Sequence, residues 1–332
     1  MGRFYLYTRA MEPSLVNNMI DYAHGISVVD AVYDRALQTA IHVVVEHGRA
    51  AIVDTGTSHA APRVLAALAS KGIAPAQVDY VVLTHIHLDH AGGAGQLMAL
   101  CPNAVLTVHP RGARHMVDPS KLVAGTVAIY GEETTRRIYG EVLPVAAERI
   151  VETPEGAAIS LAGREFSFLD APGHARHHVV VRDGASGHIF AGDSFGLSYR
   201  ELDQDGRQFV FPTCSPVQFD PAALHRTVER MLALGPPAIY VAHYGQVRDV
   251  PRLGADMRRL IDALVSIAVA AKKECGGPGS VRLESMRRSI AALLLEERER
   301  QGWRLPADEV LRVFALDIEL NAQGLEVWLE SR

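Results

Sequence analysis

The chain has 332 residues, 48% of them hydrophobic, which suffices for one large domain with an appendage or for two domains. Its formal net charge of −5 offers no overall basic surface for phosphate backbones, so we expect no nucleic-acid partner. The 3 cysteines are far apart and lack Cys-x-x-Cys spacing, which argues against a disulfide framework and a thiolate-held metal.

The amino-terminal stretch "MGRFYLYTRAMEPSLVNN" lacks the apolar run and cleavage site of a secretory signal. No window of the chain reaches the roughly 18 apolar residues that a membrane-spanning helix needs. We therefore expect a cytoplasmic protein with no membrane partner, and residues 1–25 are interpreted as an amino-terminal extension.

Residues 26–54 alternate short β-rich runs with turns, and "EHGR" is typical of a hairpin turn between two apolar strands. A helix is predicted to begin near Pro62 and to end at Gly72. The runs "VDYVVLT" and "AVLTVH" then predict two buried strands, and residues 111–148 read as mostly helix and loop.

Strand patterns return in "AAISLAGREFSFLDAPG" and "HVVVRDGASGHIFAGD", each with a hairpin turn inside it. A helix over 221–234 and the strand "AIYVAHYG" follow. Strands with intervening helices in both halves predict a layered α/β domain over residues 26–251.

Residues 252–332 carry almost no strand pattern and predict a helical appendage of three helices, the last running from Pro306 to Gly324. Apolar residues recur on one face of these helices. Such stripes pack either on the main domain or on a second subunit, so a homodimer through the carboxy-terminal helices is one expectation.

The stretch "LTHIHLDHAGG" concentrates three histidines and an aspartate directly after a buried strand. Residues i and i+2 of an extended segment point the same way, so His85 and His87 can approach one cation from a single side. Asp89 and His90 can turn towards a second cation. Imidazole and carboxylate ligands suit Zn²⁺ and also Fe or Mn, and the residues alone do not choose among these metals.

Further ligand-type residues stand beside glycine, each after a strand pattern, in "VDTG", "DAPGH", "FAGDS" and "VAHYG". Glycine lets the backbone bend sharply and approach a crowded site. The four motifs supply Asp54, His174, Asp193 and His243.

These motifs, in this order, resemble the metallo-β-lactamase superfamily over about 26–251. The resemblance implies an αββα sandwich, an α/β fold of four layers, with two divalent metal ions at the shared edge of two sheets. By position it assigns the first metal to His85, His87 and His174, the second to Asp89, His90 and His243, and a bridging role to Asp193. It also implies that Asp54 steadies the histidine loop through hydrogen bonds without binding metal.

The chain departs from the family pattern after "PGH", where it reads "ARHH". We take His174 as the ligand, and interpret His177 and His178 as structural or as lining the pocket. The segment 198–221 is an aromatic, proline-containing loop expected to overhang the metals. The candidate substrate contacts there and nearby are Phe195, Tyr199, Arg200, Phe211 and Tyr244, with ordinary packing as the alternative for each.

The resemblance implies a hydrolase in which two metals, zinc favoured, activate a shared water and Asp193 bridges them. The leaving group then takes a proton through Asp89 or through a metal-bound water. Esters, thioesters and lactones are the expected small-molecule substrates, as in glyoxalase II-like and lactonase-like members. The lactonases place a tyrosine where this chain has Gly196, and the basic glutathione-binding residues of glyoxalase II are not recognisable in the helical tail, so the chain departs from both subfamilies. The alternative is a diiron oxygen-binding or redox protein of the same superfamily.

Overall fold

The computed structural model describes residues 19–214 and 217–332, without the side chains of residues 129 and 130. Residues 1–18 of the predicted extension lie outside these ranges. The first sheet has seven strands in sequential order. They are β1 (Met19–Asp21), β2 (Ile26–Asp30), β3 (Ala40–Glu46), β4 (Arg49–Val53), β5 (Val78–Val82), β6 (Val105–Val108) and β7 (Ile150–Glu152). Strands β1 to β4 run antiparallel, and β4 to β7 run parallel.

The second sheet has six strands in the order β13-β12-β11-β10-β9-β8. They are β8 (Ala158–Leu161), β9 (Arg164–Asp170), β10 (Val179–Asp183), β11 (Ile189–Gly192), β12 (Ile239–Val241) and β13 (Gly245–Val247). Only the β11–β12 pair in this sheet is parallel among the described residues. The three predicted hairpin turns, at 47–48, 162–163 and 184–188, join strands as expected.

Helices cover the outer faces of both sheets. Those of the main domain are α1 (Ala61–Ser70), α2 (Leu88–Ala91), α3 (Ala94–Leu100), α4 (Pro110–Val117), α5 (Ser120–Tyr130), α6 (Glu132–Tyr139) and α7 (Pro221–Ala233). The carboxy-terminal helices are α8 (Val250–Cys275), α9 (Ser280–Gln301), α10 (Ala307–Val313) and α11 (Ala315–Glu330). Pro221 begins α7 after Asp220, whose side chain caps the helix by accepting from the Ala223 N–H.

The two sheets stack face to face, and the alternating side chains of their strands fill two different cores. In β3, Ile41 and Val43 pack towards α1 and α3, whereas Val44 packs between the sheets against Phe166 and Phe168. This period of two is the pattern of a strand that is buried on both faces. The predicted four-layer αββα sandwich with a carboxy-terminal helical appendage is confirmed.

The carboxy-terminal helices pack on the second sheet in one continuous core. Met286, Ile290 and Leu294 of α9 are fully buried there beside residues of α7 and β12. The apolar stripes that suggested a homodimer are therefore covered within the chain itself, and a homodimer stays a prediction. The division at residue 251 also stays a prediction.

Two predicted boundaries differ from the structure. β1 pairs with β2, so the first sheet already begins within the segment interpreted as an extension. The last helical segment does not end at Gly324, since α11 continues to Glu330. Glycine costs about 1 kcal/mol in a helix interior, but Gly324 is buried and the neighbouring Leu325 and Trp328 anchor the helix in the core.

No helix within the described ranges combines the length and the apolar character needed to cross a membrane. The cytoplasmic location stays a prediction.

His42 of β3 is a buried imidazole between the two sheets. Its ring lies 5.4 Å from the Phe190 ring and 5.3 Å from the Tyr240 ring, measured between centroids. Neither ring nitrogen has a hydrogen-bond partner in the part of the chain that the structure describes. Burial lowers the pKa of His42 to about 3, so the folded protein holds this imidazole neutral.

We predict that His42→Leu makes the protein less sensitive to acid. In the unfolded chain the His42 imidazole binds a proton near pH 6.5, whereas in the folded protein it stays neutral down to about pH 3. The free energy of unfolding of wild type therefore falls as the pH drops through this window. Each pKa unit corresponds to about 1.4 kcal/mol. Urea unfolding at pH 7 and pH 4.5 should show a smaller loss for His42→Leu than for wild type, while the exposed control His47→Gln keeps the wild-type loss. An equal loss of unfolding free energy between pH 7 and pH 4.5 in all three proteins would contradict the prediction.

Candidate metal centre

The histidine loop follows the carboxyl end of β5. Leu83 and Ile86 are buried and fix the loop on the helix side of the first sheet. This packing turns His85 and His87 to the other side, where His85 Nε2 lies 3.0 Å from His87 Nδ1. Two ring nitrogens at this separation can share one cation or one proton.

A first group of ligand atoms forms around His87. His174 follows β9 and places its Nε2 3.1 Å from His87 Nδ1. One nitrogen from each of His85, His87 and His174 lies within 4.8 Å of the others. Three imidazoles around one point form a ligand set suited to a divalent transition metal.

A second group forms around Asp89 on the short helix α2. Asp89 Oδ2 lies 3.3 Å from His90 Nε2 and 3.6 Å from His243 Nε2. His243 follows β12 and so comes from the other sheet. The two groups have no residue in common, and a third set of neighbouring groups, His85, His90 and Asp193, overlaps the first group at His85 and the second at His90.

Asp193 lies between the two groups. Its Oδ2 is 3.4 Å from His174 Nε2, and its Oδ1 is 3.5 Å from both His90 Nε2 and His243 Nε2. One carboxylate oxygen therefore faces each group. The structure thus brings together all seven residues that the resemblance assigned as ligands.

The chemistry of these residues fits a bound divalent cation. Burial lowers the pKa of His85 well below its usual value, and the neighbouring imidazoles, His90 first, lower it further. Neutral imidazole is the form that binds metal. At His90 the neighbouring carboxylates of Asp89 and Asp193 outweigh burial and raise its pKa well above its usual value, so a cation there would take the place of a proton. His90 Nε2 and Asp193 Oδ1 are buried and find no hydrogen-bond partner among the described residues. Buried polar atoms normally have a partner, and a cation between them would supply it.

Asp54 takes the supporting position that the resemblance implied. It follows β4, and its carboxylate accepts from the Thr84 N–H at 2.8 Å and from the Thr84 hydroxyl. Its Oδ2 also lies 3.3 Å from His90 Nδ1. The backbone of Asp54 has φ of +58°, an unusual conformation for a residue other than glycine. Its hydrogen bonds hold the start of the ligand loop in place.

His178 contacts the backbone of Asp193 and the side chain of Ser194. Its Nε2 accepts from the Asp193 N–H at 3.2 Å, and its Nδ1 lies 3.1 Å from the Ser194 hydroxyl. Its ring also stacks on His85, with centroids 4.8 Å apart. Gly192 has φ of +49°, and a Cβ there would lie 2.6 Å from His178 Nε2, so only glycine fits.

A family model described as the metallo-beta-lactamase superfamily matches residues 34–243, which contain every ligand described above. The chain belongs to the metallo-beta-lactamase superfamily.

Relatives in this superfamily are similar to parts of the chain. The metallo-beta-lactamase fold-containing protein ST1585 of Sulfurisphaera tokodaii is 27% identical over 180 residues, which cover 52% of this chain and 62% of that protein. A hydroxyacylglutathione hydrolase of Stenotrophomonas maltophilia is 32% identical over 149 residues, which cover 45% of this chain and 42% of the relative. The chain therefore spans less than two thirds of these curated relatives.

Solved structures of the superfamily share the fold across almost the whole chain. That of ST1585 has a TM-score of 0.59 at 21% identity and covers 92% of this chain and 99% of its own. That of the family protein TTHA1429 from Thermus thermophilus has a TM-score of 0.64 at 20% identity. It covers 92% of this chain and 93% of its own. At this identity the likeness concerns the fold alone.

The structure does not support the predicted substrate contacts. Phe195 and Phe211 have no exposed surface and pack in the core beneath the carboxy-terminal helices. Tyr244 is equally buried beside Val28 and Ala40. A side chain without accessible surface cannot touch a substrate in this conformation, so these three aromatics are packing residues.

The other two predicted contacts are engaged within the protein. The Tyr199 hydroxyl donates to the carboxylate of Asp317 on α11, at 2.9 Å to Oδ2. Arg200 Nη2 donates to Ser198 O at 2.7 Å, and its Nη1 donates to Gln246 O at 3.3 Å. Both side chains therefore tie the loop after β11 to its surroundings.

The sequence did not indicate the backbone carbonyls that orient the ligands. His243 Nδ1 lies 2.9 Å from Gln38 O, and His174 Nδ1 lies 3.3 Å from Thr213 O. Every residue type carries a carbonyl, so no residue pattern marks these two partners. Thr84 could have been suspected, because it directly precedes the first ligand.

We predict different effects for the two histidines that follow His174. His178→Ala removes the acceptor of the Asp193 N–H and should lower metal affinity about 10–100-fold, the usual effect of losing a group that orients a ligand. The His177 ring lies 5.5 Å from that of His87 but makes no hydrogen bond to a ligand among the described residues. His177→Ala is therefore the matched control.

Competition between the metal-free protein and a chromogenic chelator measures both affinities. We expect His177→Ala to remain within about threefold of wild type, well below the loss caused by removing an orienting group. Equal losses in the two variants would show that the hydrogen bond from Asp193 to His178 does not orient the bridging carboxylate.

Proposed function

We propose that the protein is a metal-dependent hydrolase that holds two divalent ions, zinc at both sites, and acts on a small ester, thioester or lactone. The observation that carries this proposal is Asp193, whose two carboxylate oxygens face two separate groups of three ligands. When bound, a pair of divalent ions lowers the pKa of coordinated water towards neutrality and polarises an oxygen of the substrate.

The protein's own residues prepare this chemistry. His85, His90 and His174 are almost completely buried, so bulk water is excluded on their side of the site. Electrostatic interactions are stronger in such an environment. The Asp89 side chain is 21% exposed, which makes it the carboxylate of the site that a substrate can reach. Asp89 is therefore the group we assign to pass a proton to the leaving group.

The proposed substrate class is supported by the activities named for similar proteins and by the net charge of the chain. Several similar proteins are hydroxyacylglutathione hydrolases at about 30% identity, and their aligned region contains under half of each chain. The net charge of −5 provides no general attraction for nucleic acid. A small molecule with a cleavable acyl bond is the substrate class consistent with both observations.

The alternative is a diiron oxygen-binding or redox protein. One experiment separates the two functions: elemental analysis of protein purified without added metal, with assays on thioesters, lactones, lactams and phosphodiesters. We expect about two zinc ions per chain, as in a dinuclear hydrolase, and turnover of an acyl substrate. Bound iron with a visible absorption band and no hydrolysis would favour the alternative.

We predict that Asp193→Ala loses one of the two metals and most turnover. One oxygen of its carboxylate faces each ligand set, so without it the two three-residue sets have no carboxylate between them. The fall in kcat/KM should exceed the ~10–100-fold that removal of an orienting group causes. Asp193→Asn, which keeps one ligand oxygen, should retain more metal. Two bound metals and wild-type turnover in Asp193→Ala would overturn the bridging role.

A further inference from the structure

The segment between the bridging aspartate and α7 is folded back on itself. We call residues 196–214 the bridging loop. Leu197 and Phe211 pair through two backbone hydrogen bonds of 2.9 Å, so the two ends of the loop lie side by side. This pairing places Ser198 near one end of the metal centre and Thr213 near the other.

The Thr213 end of the bridging loop contacts a ligand of the first group. Thr213 O lies 3.3 Å from His174 Nδ1. A carbonyl can only accept, so this contact places the proton of a neutral imidazole on Nδ1 and leaves the lone pair of Nε2 for a metal. The position of this carbonyl therefore favours the tautomer and the ring orientation of His174 that direct Nε2 into the metal centre.

Asn321 of α11 fixes the Thr213 carbonyl by hydrogen bonding to the backbone of the two residues next to Thr213. Its Oδ1 accepts from the Cys214 N–H at 2.5 Å, and its Nδ2 donates to Pro212 O at 3.4 Å. These are the residues on either side of Thr213. Asn321 is only 1% exposed and lies within an apolar core, where an amide without such partners would be costly.

The Ser198 end contacts a ligand of the second group. The Ser198 N–H donates to His243 O, and the Tyr244 N–H donates to Ser198 O at 3.3 Å. The next residue, Tyr199, donates its hydroxyl to Asp317 of α11 at 2.9 Å. Asp317 lies four residues before Asn321, so one face of the helix holds both ends of the loop.

We propose that α11 positions the metal ligands through the bridging loop, with Asn321 acting on His174 and Asp317 acting on His243. Both are positioning residues, because neither side chain touches a ligand atom. The helix is a rigid support, since Ala322 and Leu325 beside these residues are completely buried. The carboxy-terminal helical region is thereby part of the metal centre, a role that its sequence pattern did not indicate.

The test measures zinc affinity of the metal-free full chain by competition with a chromogenic chelator. Asn321→Ala should weaken zinc binding about 10–100-fold, as removal of other orienting groups does. Asn321→Asp should restore most of it, because a buried protonated carboxyl can accept from Cys214 and donate to Pro212. Leu294→Ala is the matched control: it opens a cavity in the same core from α9, leaves α11 and the loop contacts in place, and should keep wild-type zinc affinity.

Double-mutant cycles assign each residue to its ligand. The effect of Asn321→Ala should disappear in a His174→Ala background and persist in a His243→Ala background. Asp317→Ala should show the reverse pattern, and Asp317→Asn, which still accepts from Tyr199, should behave like wild type.

Long-range imidazole ¹H–¹⁵N spectra should show the Nδ1 proton of His174 in zinc-loaded wild type and its exchange broadening in Asn321→Ala.

Two results would overturn the proposal. The first is wild-type zinc affinity in Asn321→Ala, and the second is an equal loss of zinc affinity in Asn321→Ala and Leu294→Ala. The inference rests on metal binding by the proposed function. If wild type bound no zinc, the proposed function and this inference would both fail. If wild type and Asn321→Ala bound zinc with equal affinity, only this inference would fail.

Discussion

The structure depends on one constraint: seven imidazole and carboxylate groups must converge in a buried space without repelling one another. His85 Nε2 and His87 Nδ1 approach to 3.0 Å, and His90 Nε2 and Asp193 Oδ1 are buried 3.5 Å apart with no hydrogen bond to either atom among the described residues. A buried polar atom left unsatisfied costs about 1–3 kcal/mol. A cation satisfies several such atoms at once, so metal binding and folding of this edge of the sandwich are linked.

The sandwich fold meets this constraint because several strands end at the same edge. Asp54 and His85 follow strands of the first sheet, and His174, Asp193 and His243 follow strands of the second. Each sheet supplies part of both ligand groups, so the site exists only when the sheets are packed together. The bridging loop and α11 then fix the orientation of His174 and His243 from outside the second sheet. This role explains why Asp317 and Asn321 are buried in an otherwise apolar helical core.

The residues that converge at the candidate metal centre could be predicted from sequence, because metal binding requires particular residue types and these stand beside strand ends and glycines. The hairpins were predictable for a similar reason, as turn residues interrupt alternating apolar strands. The supporting contacts were not, since Gln38 and Thr213 act through backbone carbonyls and Asn321 acts through a contact across 107 residues. For Phe195 and Phe211 the sequence left substrate contact and ordinary packing open, and the structure shows packing. Proximity along the chain to Asp193 does not tell which way a side chain points.

Anomalous diffraction from metal-replete crystals tests the central claim most directly. Data collected on both sides of the zinc absorption edge should show two peaks, one among His85, His87 and His174 and one among Asp89, His90 and His243, with Asp193 between them. Absence of any anomalous peak among these side chains would contradict the account. A single peak would remove the bridging role of Asp193 and with it the proposed dinuclear chemistry.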